Sequence, residues 1–335
     1  MTWLSLGSLA LPYQLQRQGV SLRSEISRLG GELTTGQTAT PQKHLRGDIG
    51  PLAAIESRLS RIEAYQQSSR LVSSRVDATQ ASLSQLETIR ETNASKMLSF
   101  SAAGIDGDSL NTAGRSAKSA LADSVSALNL RVSGQAVFAG AATDTTPLPD
   151  ADTILATILP LVSGLTNAQA IEATVTSAFL DPGGAFETDL YMGADAVPGA
   201  QLGEDGSSLT HPTAADPGVR KLLSGLVMAA LIAEPAMGLT QDQKQELARS
   251  STDALFSAVT PLTALQASVG DAQSSLDARL LQLSTERDAL HSSRNSLIGV
   301  DPYEAATRLE EARAQLETLY TVTARTSRLS LTGYL

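Results

Sequence analysis

The stretch that decides the fold is "LEEARAQLETLYTVTARTSRLSLTGYL", residues 309–335. Apolar residues recur at helical spacing up to Leu335 itself, whereas the last residues of most domains are polar and poorly ordered. Leu309, Ala312, Leu316 and Leu319 fall on one helix face, and Pro302 lies in the first turn of that helix. Near the other end of the chain Leu15, Leu22, Ile26, Leu29 and Leu33 step by seven, four, three and four, which again makes one face. Both ends therefore read as half-apolar helices, and such helices need a partner to be stable in water.

Inward from each end the pattern repeats in mirror order. The segment "GGELTTGQTATPQKHLRGDIGP", residues 30–51, carries several glycines, two prolines and a threonine cluster, so a break is expected there. Leu52, Ile55, Leu59, Ile62, Val76, Thr79, Leu83 and Leu86 then predict one long helix from about Pro51 to Phe100. A turn at "SAAGIDGDSLNTAG" separates it from a further helix in "RSAKSALADSVSALNLRV". On the C-terminal side helical pattern returns from Arg220. Leu262, Leu265, Val269, Ala272, Leu276, Leu283, Leu290 and Leu297 mark a second long helix, which Gly299 and Pro302 stop. The expectation is a mainly α chain: a long coiled-coil-like bundle built from paired N- and C-terminal segments, with a short helix at each end. Residues 1–45 and 301–335 form the terminal assembly helices, and 46–142 and 218–300 the long-helix bundle.

Residues 143–217 have another character. Of a net charge of -10 over 335 residues, the excess lies here: no Lys or Arg occurs from Val132 to Val219, while eleven Asp and Glu do. "ADTILATILPLVSGLTNAQAIEATVTSAFL" predicts two helices, and "FETDLYMGA" fits a short strand. This part is expected to be a small, acidic, variable α+β domain inserted on the outside.

Composition narrows the chemistry. Aromatics are only 4% and cysteine is absent, which removes disulfides, thiol nucleophiles and Cys-based metal sites. His44, His211 and His291 lie in separate segments with no carboxylate at ligand spacing, and no phosphate-loop, dinucleotide or nucleophile-elbow motif occurs. Asp106 and Asp108 open like a calcium loop, but Leu110 and Ala117 take two ligand positions, so the segment reads as a turn. Glu310 and Glu311 point about 100° apart on a helix and suit its N-terminal dipole better than catalysis. Arg46-Gly47-Asp48 spells an adhesion tripeptide, yet Gly and Asp are ordinary turn residues. No basic stripe favours nucleic acid. The apolar runs "ILATILPLVSGL" and "LLSGLVMAALIA" fall short of the ~18 residues of a membrane span. The first residues have no positive n-region and are interrupted by Pro12, so no cleaved signal peptide is expected. No enzyme, cofactor, metal, nucleic acid or membrane partner is expected.

Three segments carry a resemblance. "LQRQGVSLRSEISRLGGELTTGQ" (15–37), "LNLRVSGQAVFAGAATDTTPL" (128–148) and "DPYEAATRLEEARAQLETLYTVTARTSRLSLTGYL" (301–335) resemble the hook-associated protein 3 family, the distal hook–filament junction proteins of the flagellin superfamily. Flagellins usually follow the first turn with a run like "DDAAG"; here "TPQKHLRGDIGP" and the ending "LSLTGYL" favour the junction family over flagellin. The resemblance implies a structural subunit exported unfolded through the flagellar channel, with the export apparatus and an export chaperone as partners. It implies assembly as a ring at the hook tip, outside the cell, between the proximal hook-associated protein and flagellin. It also implies that the paired termini line the axial core, so that Leu15, Leu22, Ile26, Leu29, Leu33, Leu309, Leu316, Leu319, Leu329, Leu331, Tyr334 and Leu335 form the assembly interface. A flagellin-like filament subunit, and a secreted adhesin or enzyme acting through its middle domain, are the competing readings.

Overall fold

The computed structural model describes residues 7–101, 106–196 and 211–332, with side chains over 13–101, 106–196 and 211–326. The chain is mainly α. In order it forms α1 (Gly7–Thr35), α2 (Pro41–His44), α3 (Gly50–Phe100), α4 (Gly107–Leu128), a hairpin of β1 (Arg131–Val132) and β2 (Gln135–Ala136), α5 (Ala151–Val162) and α6 (Ala168–Leu180). After a π-turn at Phe186–Leu190 come α7 (Pro217–Leu231), a 3-10 turn at Pro235–Met237, α8 (Gln241–Ser257), α9 (Val259–Ile298) and α10 (Pro302–Thr332). Two compact units result: residues 1–64 with 283–335, and residues 65–282.

In the larger unit the core gathers around α7. "PGVRKLLSGLVMAAL" is nearly all apolar or small, and Leu222, Leu223, Leu226, Val227 and Leu231 are fully buried. Close approach comes from glycines: a Cβ on Gly225 would lie 2.9 Å from Leu255 Cδ2 of α8, and one on Gly114 of α4 would lie 2.7 Å from Ala233 Cβ. The α4 stripe Leu110, Ala113, Ala117, Leu121, Val125 and Leu128 packs into the same core, as do Val76, Leu83 and Leu86 of α3 and Leu262, Val269 and Leu276 of α9. Three buried hydroxyls donate to backbone carbonyls: Thr79 to Arg75 O at 2.8 Å, Ser82 to Ala127 O at 2.8 Å and Ser251 to Gly225 O at 2.9 Å.

The acidic stretch departs from expectation. Ile154, Leu155 and Ile158 of α5 and Ile171 and Val175 of α6 are buried in the core that α4, α7 and α8 share, because two short amphipathic helices cannot bury their apolar faces alone. Among its described residues it contains no strand: "FETDLYMGA" begins with a π-turn that buries Phe186 and Leu190 on one side. A strand would put Thr188 on the same face as Phe186 and Leu190, but Thr188 is exposed while those two are buried, as a helical turn requires. Its acids are served by bases from outside the stretch, since Arg220 pairs with Glu187 at 2.8 Å and Lys118 with Asp152 at 2.7 Å. Asp144, Asp150, Asp152, Asp181, Glu187, Asp189 and Asp195 are exposed, while Glu172 and Asp216 are half-buried.

Three further boundaries differ. α1 runs through Gly30 and Gly31 to Thr35, so the N-terminal break begins at Gly36, whose φ of +66° turns the chain out of the helix. At 29 and 31 residues, α1 and α10 are not short. The Asp106 segment, read as a turn, starts α4: the Asp106 carboxylate accepts from Ser109 N at 2.6 Å as an N-cap. Asp150 caps α5 likewise, accepting from Thr153 N at 2.7 Å. The adhesion tripeptide lies in a tight exposed turn, with Asp48 N donating to Leu45 O at 3.0 Å and positive φ at Arg46 and Gly47.

Gly225→Val forces its side chain into Leu255 and is expected to destabilise the larger unit by about 1–3 kcal/mol, read by chemical denaturation. The caps titrate. Backbone hydrogen bonds hold the Asp106 and Asp150 carboxyls below the usual carboxylate range. Their contribution is therefore complete above the unfolded pKa and is lost as pH falls through the depressed folded one. The double variant Asp106→Ala/Asp150→Ala is expected to melt below the parent at neutral pH. That gap should shrink as acid protonates the parent's caps.

Candidate assembly surface

In the smaller unit α1 packs along α10. Leu29, Leu309 and Ala312 are buried together, with Ile26 against them. Leu15, Leu22, Leu316 and Leu319 are half-buried, and Leu319 approaches the backbone of α1 at Gly19, where a Cβ would lie 3.4 Å from its Cδ2. Leu33 is 39% exposed. The inward position at the end of α1 is taken by Glu32, only 4% exposed. Its carboxylate receives Arg28 at 2.7 Å, Ala39 N at 2.8 Å and the Thr38 hydroxyl at 3.3 Å, so a buried charge is paired and hydrogen-bonded as it must be. Arg28 also hydrogen-bonds Glu25, which holds the Glu25 carboxyl below its usual range. Leu329 and Leu331 lie in the last turns of α10, and nothing of their side chains is described; Tyr334 and Leu335 lie outside the described residues.

The two breaks in the helical pattern meet. Thr38 N donates to Ile298 O at 2.8 Å and Val300 N to Gly36 O at 3.0 Å, which makes an antiparallel bridge between Gln37 and Gly299. The Gln37 side-chain amide donates to Asn295 Oδ1 at 3.2 Å. Gly299 has no room for a side chain: a Cβ there would lie 2.4 Å from Asn295 O. This clasp fixes where α1 and α10 begin to run together. Beyond it, Leu59, Ile62, Leu283 and Ile298 are buried and Arg58 bonds Glu286 at 2.5 Å.

The pair does not cover all of its apolar surface. Tyr13, Val20, Tyr320 and Val322 remain exposed, at 64%, 60%, 47% and 43%. Arg23 donates two hydrogen bonds to the Tyr320 hydroxyl, at 3.0 and 2.7 Å, with its guanidinium carbon 5.8 Å from the ring centroid. A heptad count passes over these residues, because Tyr13 and Val20 lie off the a/d line and Arg23 and Glu32 carry charge. A charged residue reads as solvent-facing until its partner is known. Among the described residues no three His, Asp or Glu side chains gather as a metal site would require, and no helix is long and apolar enough to cross a membrane.

Residues 252–335, which comprise the end of α8, α9 and α10, match the family described as the bacterial flagellin C-terminal helical region. No curated protein matches the chain. Among solved structures, one described as a flagellar hook-associated protein from Vibrio parahaemolyticus is 14% identical, superposes with a TM-score of 0.52, and is matched over 73% of this chain and 95% of its own. FlgL of Bacillus cereus is 11% identical over 76% of this chain and 100% of its own, with a TM-score of 0.39, too low to argue from. The C-terminal helices thus resemble those of bacterial flagellins, in a chain whose fold is similar to that of a flagellar hook-associated protein.

Proposed function

We propose that this chain is a structural subunit of the bacterial flagellum that joins the hook to the filament. The observation that carries the reading is the α1–α10 pair, which is held in register by the Gln37–Gly299 clasp and still exposes several apolar side chains, in a chain whose C-terminal helices match the flagellin region. Each fully buried Leu, Val or aromatic side chain contributes roughly 1.5–3 kcal/mol, so a face of several is enough to hold subunits together. The interface is Leu15, Leu22, Ile26, Leu33, Leu316 and Leu319, extended through Leu329, Leu331, Tyr334 and Leu335. Leu29 and Leu309 hold the pair itself together. The subunit is exported unfolded, assembles outside the cell at the hook tip, and contacts its own copies, the proximal hook-associated protein and flagellin. The described acids of 143–217 are largely exposed, which supports an outward position for that stretch.

The match of residues 252–335 to the flagellin region also favours a second reading, a filament-forming subunit. The two differ in self-addition: a junction subunit favours unlike neighbours at its ends, whereas a filament subunit adds to itself without closing. Deleting the gene in the bacterium that encodes it should leave hooks without filaments and shed flagellin into the medium. Filaments of normal length in that strain, or long filaments grown by the purified chain alone, would overturn the junction role.

A further inference from the structure

The corner after the clasp carries a groove of about 450 Å³. Pro41, Ile49 and Leu52 form its apolar wall, and Lys43 and Glu56 bring opposite charges to its lining. On the other strand of the clasp, Tyr303 is the most exposed large apolar side chain among the described residues, at 83%. Its backbone is fixed, since Tyr303 N donates to Asp301 Oδ1 at 2.8 Å in the first turn of α10. Along the same helix follow Glu304 and Arg308, which pair with each other at 2.5 Å while both stay about two-thirds exposed, so either is free to exchange partners.

We propose that Tyr303 of one copy seats in the Pro41–Ile49–Leu52 groove of the next, with Glu304 facing Lys43 and Arg308 facing Glu56. This rests on the self-assembly in the reading above and names the lateral contact. Two observations commit the occupant to a second copy. Knob and groove each carry one acid and one base, so each sign on one has an opposite sign available on the other. Knob and groove also lie at the same level of the molecule: Ala39 follows Gln37 by two positions, Tyr303 follows Gly299 by four, and Gln37 and Gly299 are bridged. A residue so exposed is not in its own groove. Unlike patches at one level make a heterologous contact, which runs sideways from copy to copy and closes as a ring or continues as a shallow helix. The rim pairs set the register while the buried ring supplies the adhesion.

The cysteine-free chain makes the test direct. Glu304→Cys and Lys43→Cys change exposed side chains that the contact sets face to face and keep the Tyr303 ring, and unchanged thermal unfolding of each full-length variant checks that the fold is kept. Mixed and oxidised while concentrated toward the solubility limit, the two variants should give the mixed disulfide dimer in excess of random pairing, and the double variant a ladder of oligomers. Tyr303→Ala added to the Glu304→Cys arm, or the parent chain in excess, should remove that excess of mixed dimer. No mixed dimer, or one no more abundant than random pairing with the two homodimers, overturns the contact. Because this is read on purified protein, it separates from the flagellar role. A deletion strain that sheds flagellin together with no ladder removes the contact and leaves the role, and a ladder with filaments intact in the deletion strain does the reverse.

Discussion

The smaller unit depends on four backbone atoms. Thr38 N–H to Ile298 O and Val300 N–H to Gly36 O tie the turn after α1 to the turn before α10, across most of the length of the sequence. Without that tie, two half-apolar helices at opposite ends of a chain have a long loop to close before their contacts give any return. With it, α1 and α10 start side by side, and Ile26, Leu29, Leu309 and Ala312 follow at helical spacing. The bridge imposes its own conditions. Gly36 must take the left-handed region, Gly299 must lack a side chain, and Glu32 must turn inward to hold the Thr38 and Ala39 end of the turn.

Fixed in this way, the pair buries one seam and leaves apolar side chains exposed beside it. Two helices with only each other as partners cannot cover both sides, so Tyr13, Val20, Tyr320 and Val322 stay in water unless other molecules cover them. The larger unit shows the opposite case. α7 is surrounded by α4, α6 and α8, and its glycines and alanines let those helices approach until no apolar face remains. A closed core in one part and exposed apolar side chains in the other arise from the same helical periodicity with different numbers of partners.

Much of this was legible in the residues. The long helix ending at Phe100 and the two helices of 151–180 follow from apolar spacing alone, because that spacing states which side must be buried. Gly30 and Gly31 misled, since in α1 they cost propensity without ending the helix; the end needed a glycine at positive φ, and conformation is not written in residue type. Phe186 and Leu190 in a π-turn, and α5 and α6 joined to the α4–α7–α8 core, depend on neighbours distant in sequence. The site was legible in part. Leu29 and Leu309 were found by counting, whereas Glu32, Asn295 and Gly299 act through partners that only the fold brings near.

The central claim, that the turn-to-turn clasp pairs the terminal helices within one chain, is tested most directly by amide hydrogen exchange on the monomeric full-length protein and its Gly299→Val variant. The parent should protect the Thr38 and Val300 amides together with the amides of α1 and α10 around Leu29 and Leu309. Gly299→Val should lose that protection in both terminal helices at once while leaving α7 unchanged. Terminal helices unprotected in the parent monomer, or equally protected in the variant, would contradict it.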